Sequence, residues 1–507
     1  MSRRIATILF LAFCFSFLYL RAFLWPHTPY WLAGDGVIFL NNAWRMLHGE
    51  ALYRDFLQIT TPGTDLLFLL TLQLFGPAAW AQNVLVLCLG MALLMTQILI
   101  TRRLVTGALA FLPSLLFLVF QFRLDVNGGH HWVSMLLALI VIYTLLPREN
   151  SAPGLALTGF LCGLTALVTQ HRGAVVLLGV NVFLFYEQWP LSGRWITLWR
   201  RLIRLNLVCL ATFAAGMSWY VWRAGAARLW QDLMVFPMTS YRGDFWVNRP
   251  GVYLHTLSLV WREGYSLTLM AAFTYTLIPL IYFVSLYVWR RRAAGLPATQ
   301  QRGVALLIIM GLALLAGAVY APSCVRLAHV SQPGLILLAW TFDQMLPRLG
   351  RAARPLIVMA LLLPAIALTR AAWLQQTGNR RTVLTPAGLT AIYQPQLYDD
   401  MAWLAAHTQP GEYFLSSTVS FYYPLRLRNP TALPFLVNGQ YTTVAQTQAL
   451  IERLEQTRPR LIHWRPFPAR AELTSVDNLE PLRQYLNDKY RVVTSFPAPD
   501  VLWERKP

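Results

Sequence analysis

Lysine is almost missing from this chain: Lys489 and Lys506 are the only two in 507 residues. Charge of either sign is scarce, with 13% charged residues where a soluble protein of this size keeps roughly a quarter. Half the usual charge over such a length excludes an ordinary soluble enzyme and a long disordered chain. The five cysteines show no CxxC spacing; Cys14, Cys88, Cys162 and Cys209 lie in apolar runs and Cys324 in a short polar turn. Neither a disulfide framework nor a structural zinc site is indicated. A glycine-rich phosphate loop is also missing, and no internal repeat is visible, which disfavours a secondary transporter.

Apolar sequence is abundant instead, at 56% of residues. Runs long enough to cross about 30 Å of hydrocarbon recur from the N-terminus to about residue 371. They fall near 5–25, 80–100, 104–122, 131–147, 153–170, 173–189, 204–224, 266–289, 303–321, 331–347 and 353–371. The first follows Arg3 and Arg4, lacks a small-residue cleavage site, and reads as an uncleaved span. The net charge of +20 is therefore first a question of sidedness, not of nucleic-acid binding.

Arginine clusters alternate with nearly unbasic loops. The clusters are Arg3/Arg4, Arg102/Arg103, Arg148, Arg194/Arg200/Arg201/Arg204, Arg290/Arg291/Arg292/Arg302 and Arg348/Arg351/Arg354. Placing all of them on the cytoplasmic side predicts about eleven crossings, N-terminus inside and C-terminus outside. This parity requires that 62–76 not cross. That run is short, starts with Pro62 and carries Asp65, so a helix lying in the outer interface is expected there. The expected fold class is an all-α polytopic membrane protein, residues 1–371, followed by a small extracytoplasmic α/β domain, residues 372–507. In the latter, 395–408 and 447–457 read as helices, and Leu461–Trp464, Arg491–Phe496 and Val501–Glu504 as strands. This domain serves either as a lid or acceptor-docking element or as a structural cap.

The outer face then collects the first loop (26–79, with its interfacial helices), the turn 123–131, a second large loop (225–265), the turn 322–330 and Gln170-His171-Arg172. Ionisable residues gathered on one face of a membrane bundle mark function more often than packing. Asp35 follows directly on the first span between Gly34 and Gly36. A partly desolvated carboxylate there can serve as a general base, and an Asp at that point can equally cap the helix that follows. His130-His131, after two glycines, read as an extended turn whose rings point apart, so no metal ligation is expected of them. Asp125 reads as a local ion pair with Arg123.

The order of these elements resembles a family. An Asp after the first span, the element Tyr53-Arg54-Asp55-Phe56 about 20 residues on, and a Pro-led apolar helix ending in Phe75-Gly76 are similar to the GT-C superfamily of membrane glycosyltransferases. The branch is that of protein O-mannosyltransferases and the lipid A aminoarabinose transferase. Gly159-Phe160-Leu161-Cys162-Gly163 with the polar 170–172, the Arg326…His329 turn and the outer C-terminal module add to the likeness. Three departures bear on donor and acceptor: Gly36 stands where the mannosyltransferases carry a second carboxylate, Thr61-Pro62 replaces Pro-Pro, and Gln170-His171-Arg172 replaces a lysine.

The resemblance implies transfer of a sugar from a polyprenyl-phosphate carrier to a glycan, lipid or protein acceptor outside the membrane, with inversion, Asp35 being the catalytic base. It also implies substrate-site roles for Tyr53, Arg54 and Asp55, where the residues alone leave open that Asp55 simply pairs with Arg54 in the loop. The chemistry adds its own requirement: the departing phosphate monoester develops a second charge and needs cations in a water-poor site. With lysine so rare, His171, Arg172, Arg326 and His329 are the candidate cations, the arginines because they grip phosphate bidentately; the alternative reading has both arginines snorkel to the outer interface, and for His329 a satisfied structural histidine is the favoured one. Arg242, in the aromatic stretch Tyr241–Trp246, is expected to order over the lipid carrier. No soluble cofactor is called for, and no carboxylate cluster demands a divalent metal. A bacterial inner membrane is the expected location. The competing readings are a lipid-carrier flippase, which would need polar residues at mid-membrane along several spans, and a noncatalytic scaffold.

Overall fold

The computed structural model describes residues 3–122, 125–147, 151–189, 195–241, 273–319, 323–346, 353–378, 381–437, 441–464, 477–495 and 501–507. Helix dominates, and each apolar run named above holds helical residues. Among the described residues, four helices are long and apolar enough to cross a membrane: Arg4–Ala22, Ala81–Thr101, Trp195–Ala224 and Ala298–Ala318. The chain is a multi-pass helical membrane protein. It divides into two compact units, one of 1–21, 86–217 and 250–375, the other of 22–85, 218–249 and 376–507.

In the first unit the helices His130–Leu145, Ala152–Val168, Gln170–Gln188 and Ala298–Ala318 pack in antiparallel neighbours, and Ile278–Arg292 packs against Gln332–Met345. Close approach is made possible by small residues. A Cβ at Gly163 would stand 2.6 Å from Thr212 Cβ, so only glycine lets these helix backbones meet.

The charges of this unit separate to opposite helix ends. At one end Arg201 Nη2 donates to Glu187 at 3.1 Å, Arg302 pairs with the same carboxylate, and Arg302 Nη1 donates to the Leu146 carbonyl at 3.0 Å. At the other end His171 Nε2 meets the Gly317 carbonyl at 2.8 Å and His329 meets Asp125. Among the described residues, Glu187, Arg201 and Arg302 thus lie at one end of these helices and His171, His329 and Asp125 at the other.

The second unit is built on two short helices and a sheet. We label Asp35–Leu47 α1 and Gly63–Phe75 α2. Their buried faces, Val37, Phe39, Leu40 and Ala43 on one and Phe68 and Leu72 on the other, share a core with residues of the C-terminal segment such as Phe414 and Tyr422. At about 1.5 Å per residue α2 reaches only about 20 Å, too short to cross. Its outer side carries Leu66, Leu70 and Leu74 at four-residue spacing, all exposed.

Two antiparallel hairpins contribute β1 (Phe23–Leu24) with β2 (Thr28–Pro29), and β3 (Thr382–Thr385) with β4 (Gly388–Ala391). A four-stranded sheet follows from β5 (Phe414–Ser416), β6 (Leu461–Trp464), β7 (Tyr490–Ser495) and β8 (Val501–Arg505), in the order β5-β6-β8-β7. Only β5 and β6 run parallel. The helices Pro395–His407, Val444–Thr457 and Glu480–Lys489 belong to the same segment.

Candidate functional site

Asp35 opens α1. The residue before it, Gly34, has φ 97° and ψ −165°, a conformation that only glycine adopts readily, and it turns the chain sharply into the helix. Asp35 therefore stands one place inside the helix, in its first turn, rather than at the capping position. There its charge faces the positive end of the helix dipole. The carboxylate is half-buried and its charge helps to raise the Tyr441 hydroxyl well above its ordinary range, after burial, the larger cause, and Tyr241. Tyr441 packs edge-on against Phe236 at 5.4 Å between ring centres.

The α1 helix is pinned from inside. Asp65 is wholly enclosed and accepts from Asn42 Nδ2 at 2.8 Å and from Gln58 Nε2 at 3.2 and 3.1 Å. Burial pushes its carboxyl up to about 7, against the pull of these donors. At the far end of α1, Arg45 bonds Glu50 through Nε at 2.8 Å, donates to the Thr431 carbonyl at 3.0 Å, and lies over the Phe56 ring.

The Tyr53–Asp55 element is a tight loop in the same unit. Tyr53 has φ 66°, is fully buried, and its hydroxyl donates to the Thr60 carbonyl at 2.7 Å. Its ring meets Tyr220 edge-on at 5.6 Å. Arg54 and Asp55 form a two-pronged pair, Nε to Oδ1 at 2.9 Å and Nη2 to Oδ2 at 2.6 Å, and Asp55 also accepts from the Ala51 amide at 2.6 Å. The guanidinium beside it holds the Asp55 carboxyl below the usual range. Asp55 and Arg45 face one cavity of about 1350 Å³, described further below.

The proposed phosphate cations lie in the first unit. His329 is fully buried; its Nε2 is 2.9 Å from Asp125 Oδ2, and its ring stacks on His131 at 4.6 Å and meets Trp132 edge-on at 4.3 Å. Burial is the main influence lowering the proton affinity of this imidazole; Asp125 opposes it, while the positive charges of Arg172 and Arg326 reinforce it. Those two arginines and His329 thus share one electrostatic neighbourhood. Arg172 is buried, and Arg326 sits on the short helix Cys324–Ala328, which Ser323 caps. His171 is exposed and held by the Gly317 carbonyl.

One local expectation is corrected. His130 and His131 begin a helix behind Gly129 instead of extending, and their ring centres lie 3.9 Å apart. Asp125 takes His329 as partner across 204 residues and also accepts from Asn127 Nδ2; Arg123, its expected partner, lies outside the described residues. Arg242 and the rest of the aromatic stretch after Tyr241 lie outside them as well.

Sequence reading passed over Asp232. It is buried, pushed up to about 6 by desolvation, and paired with Arg228 Nε at 3.1 Å. Its four-residue spacing from Arg228 on a helical turn was the available signal.

No family model matches the chain, and no curated protein does. Solved structures do. ArnT from Cupriavidus metallidurans bound to undecaprenyl phosphate superposes with a TM-score of 0.62 at 13% identity, over 99% of this chain and 98% of that one. The archaeal oligosaccharyltransferase AglB from Archaeoglobus fulgidus, in complex with an inhibitory peptide and a dolichol-phosphate, gives 0.53 at 13% identity, over 98% and 74%. This chain shares the fold of both.

Proposed function

We propose that the chain is an inverting glycosyltransferase that moves a sugar from a polyprenyl-phosphate carrier to an acceptor hydroxyl on the outer side of a bacterial inner membrane. The fold supports this reading over 99% of the chain, and its structural neighbours include proteins with undecaprenyl phosphate and dolichol-phosphate bound. The observation that carries it to a residue is the placement of Asp35, half-buried at the start of α1 behind an obligatory glycine turn.

In the reaction, the Asp35 carboxylate takes the proton of the acceptor hydroxyl while that oxygen attacks the anomeric carbon. The bond from the anomeric carbon to the phosphate oxygen breaks, and the carrier phosphate leaves with the electron pair. Arg172, Arg326, His171 and His329 hold the developing charge, and Tyr53, Arg54 and Asp55 shape the loop that follows α1. The helical unit holds the carrier lipid against the bilayer, about eleven spans cross it, and the N-terminus is cytoplasmic.

The test is release of carrier phosphate by purified protein supplied with labelled polyprenyl-phosphate sugar and acceptor. Asp35→Asn is expected to lower turnover by about 10²- to 10⁴-fold with the donor KM little changed. Equal release by wild type and Asp35→Asn would remove the base assignment. A flippase would instead move the carrier between leaflets without releasing its phosphate.

A further inference from the structure

The second unit encloses a cavity of about 1350 Å³, more than a single sugar fills. Its walls come from three parts of the chain: α1 residues Asn41, Trp44 and Arg45, the helical stretch 228–240, and the C-terminal segment 410–453. Small-molecule pockets are mostly apolar. This one sets apolar side chains such as Trp44, Phe236 and Leu450 beside amides, hydroxyls and charged groups, among them Gln231, Ser240, Asn429 and Gln446. A polyhydroxylated ligand finds there both hydrogen-bond partners and apolar faces for its rings.

The charges are unequal. Five arginines face the cavity with three carboxylates. Glu50 is taken by Arg45, Asp232 by Arg228, and Asp55 by Arg54, which is not itself a wall residue. Arg426, Arg428 and Arg453 remain, all from the C-terminal segment. Arg426 is held flat over Trp44 at 4.1 Å, and Arg453 Nε donates to the Pro430 carbonyl at 3.1 Å, so both guanidiniums are positioned in advance. A positioned guanidinium selects carboxylate or phosphate groups.

The cavity is also joined to Asp35 through the same unit. Trp44 lies nine residues along α1 from Asp35, about 14 Å at the helical rise. Phe236 is in the cavity wall and packs on Tyr441, whose hydroxyl senses the Asp35 carboxylate.

We infer that this cavity binds the acceptor, and that the acceptor is an anionic oligosaccharide seated on Arg426, Arg428 and Arg453 with its terminal sugar extended along α1 toward Asp35. The inference rests on the transferase reading above. It assigns the C-terminal segment the role of acceptor recognition.

The test is a binding titration of the full-length protein in detergent, with no donor lipid and no transfer step, so its result is independent of the turnover assay. The probe is trigalacturonic acid, with maltotriose as the neutral counterpart. Trigalacturonate is expected to bind at least tenfold more tightly than maltotriose, and the double variant Arg428→Gln/Arg453→Gln to lose on the order of tenfold of that affinity. Both residues are exposed, and an unchanged melting temperature certifies the variant's fold. Trp44→Phe, a second variant, is expected to weaken binding severalfold without reversing the charge preference. Equal affinity for the two trisaccharides, or equal affinity of wild type and double variant for trigalacturonate, overturns the proposal. Displacement of the probe by undecaprenyl phosphate also overturns it, because the cavity would then be a carrier headgroup site.

Discussion

Asp65 accepts the amide hydrogen of Asn42 at 2.8 Å, a bond between two wholly buried side chains that ties α2 to the helix Asp35 begins. Residues 62–76, expected to lie in the outer interface on the strength of their length and one acidic side chain, use that side chain inward. The same helix leaves Leu66, Leu70 and Leu74 exposed on its other side.

This relationship makes stability depend on pH. The Asp65 carboxyl is pushed up from an ordinary 3.8 to about 7. Between those values the unfolded chain has lost a proton that the folded chain keeps, so stability falls as pH rises, by about 1.4 kcal/mol per pH unit at most. Wild type is expected to lose stability relative to Asp65→Asn as pH rises from 5 to 7, since the slopes contributed by other groups such as His329 and Asp232 are common to both proteins. Thermal melts of both proteins across this range check it, and parallel curves would show that Asp65 is not the titrating group.

Gly34 supplies the second prediction. At φ 97° and ψ −165° a side chain costs about 1–3 kcal/mol of strain. Gly34→Ala is expected to lower the melting temperature and to lower turnover further still, because the turn sets where the Asp35 carboxylate points. A variant that loses stability but keeps full turnover would show that the helix entry has no bearing on catalysis.

A third concerns Asp125 and His329. Their bond at 2.9 Å spans 204 residues and closes the polar end of the helical unit. Asp125→Asn and His329→Gln should each destabilise the protein, and the double variant by less than the sum, with a coupling of about 1 kcal/mol or more. Chemical denaturation of the four proteins measures it. Strict additivity would mean that the two groups do not support one another.

Much of the helical layout was legible because hydrocarbon imposes a length on the apolar runs. The C-terminal segment was legible wherever its periodicity was local. The helices expected at 395–408 and 447–457 appear as Pro395–His407 and Val444–Thr457, and the strand Leu461–Trp464 as β6. Hidden elements were those whose signal is not local. β5 is three buried residues paired in parallel with β6, so it shows no alternation. The hairpin of β3 and β4 owes its register to tight backbone pairing rather than to a hydrophobic pattern.

The candidate site divides the same way. Asp35 could be singled out from its position after the first span, and the Arg54–Asp55 pair from adjacency. The partners of Asp125, Asp65 and Arg45 could not, since each is supplied by chain folding back from elsewhere: His329, Asn42 and the Thr431 carbonyl. His130 and His131 misled because a Gly-Gly pair reads as a turn. Here the second glycine precedes a helix whose first two side chains are the histidines.

The Trp31 amide donates to the Ala391 carbonyl at 2.8 Å, which fastens the strand entering α1 to β4, some 360 residues later in the chain. A chimera that exchanged only the tail beyond residue 376 would therefore replace part of the bed on which the entry to α1 rests. A change in either stretch must be matched in the other, as hinge and door are cut to one another.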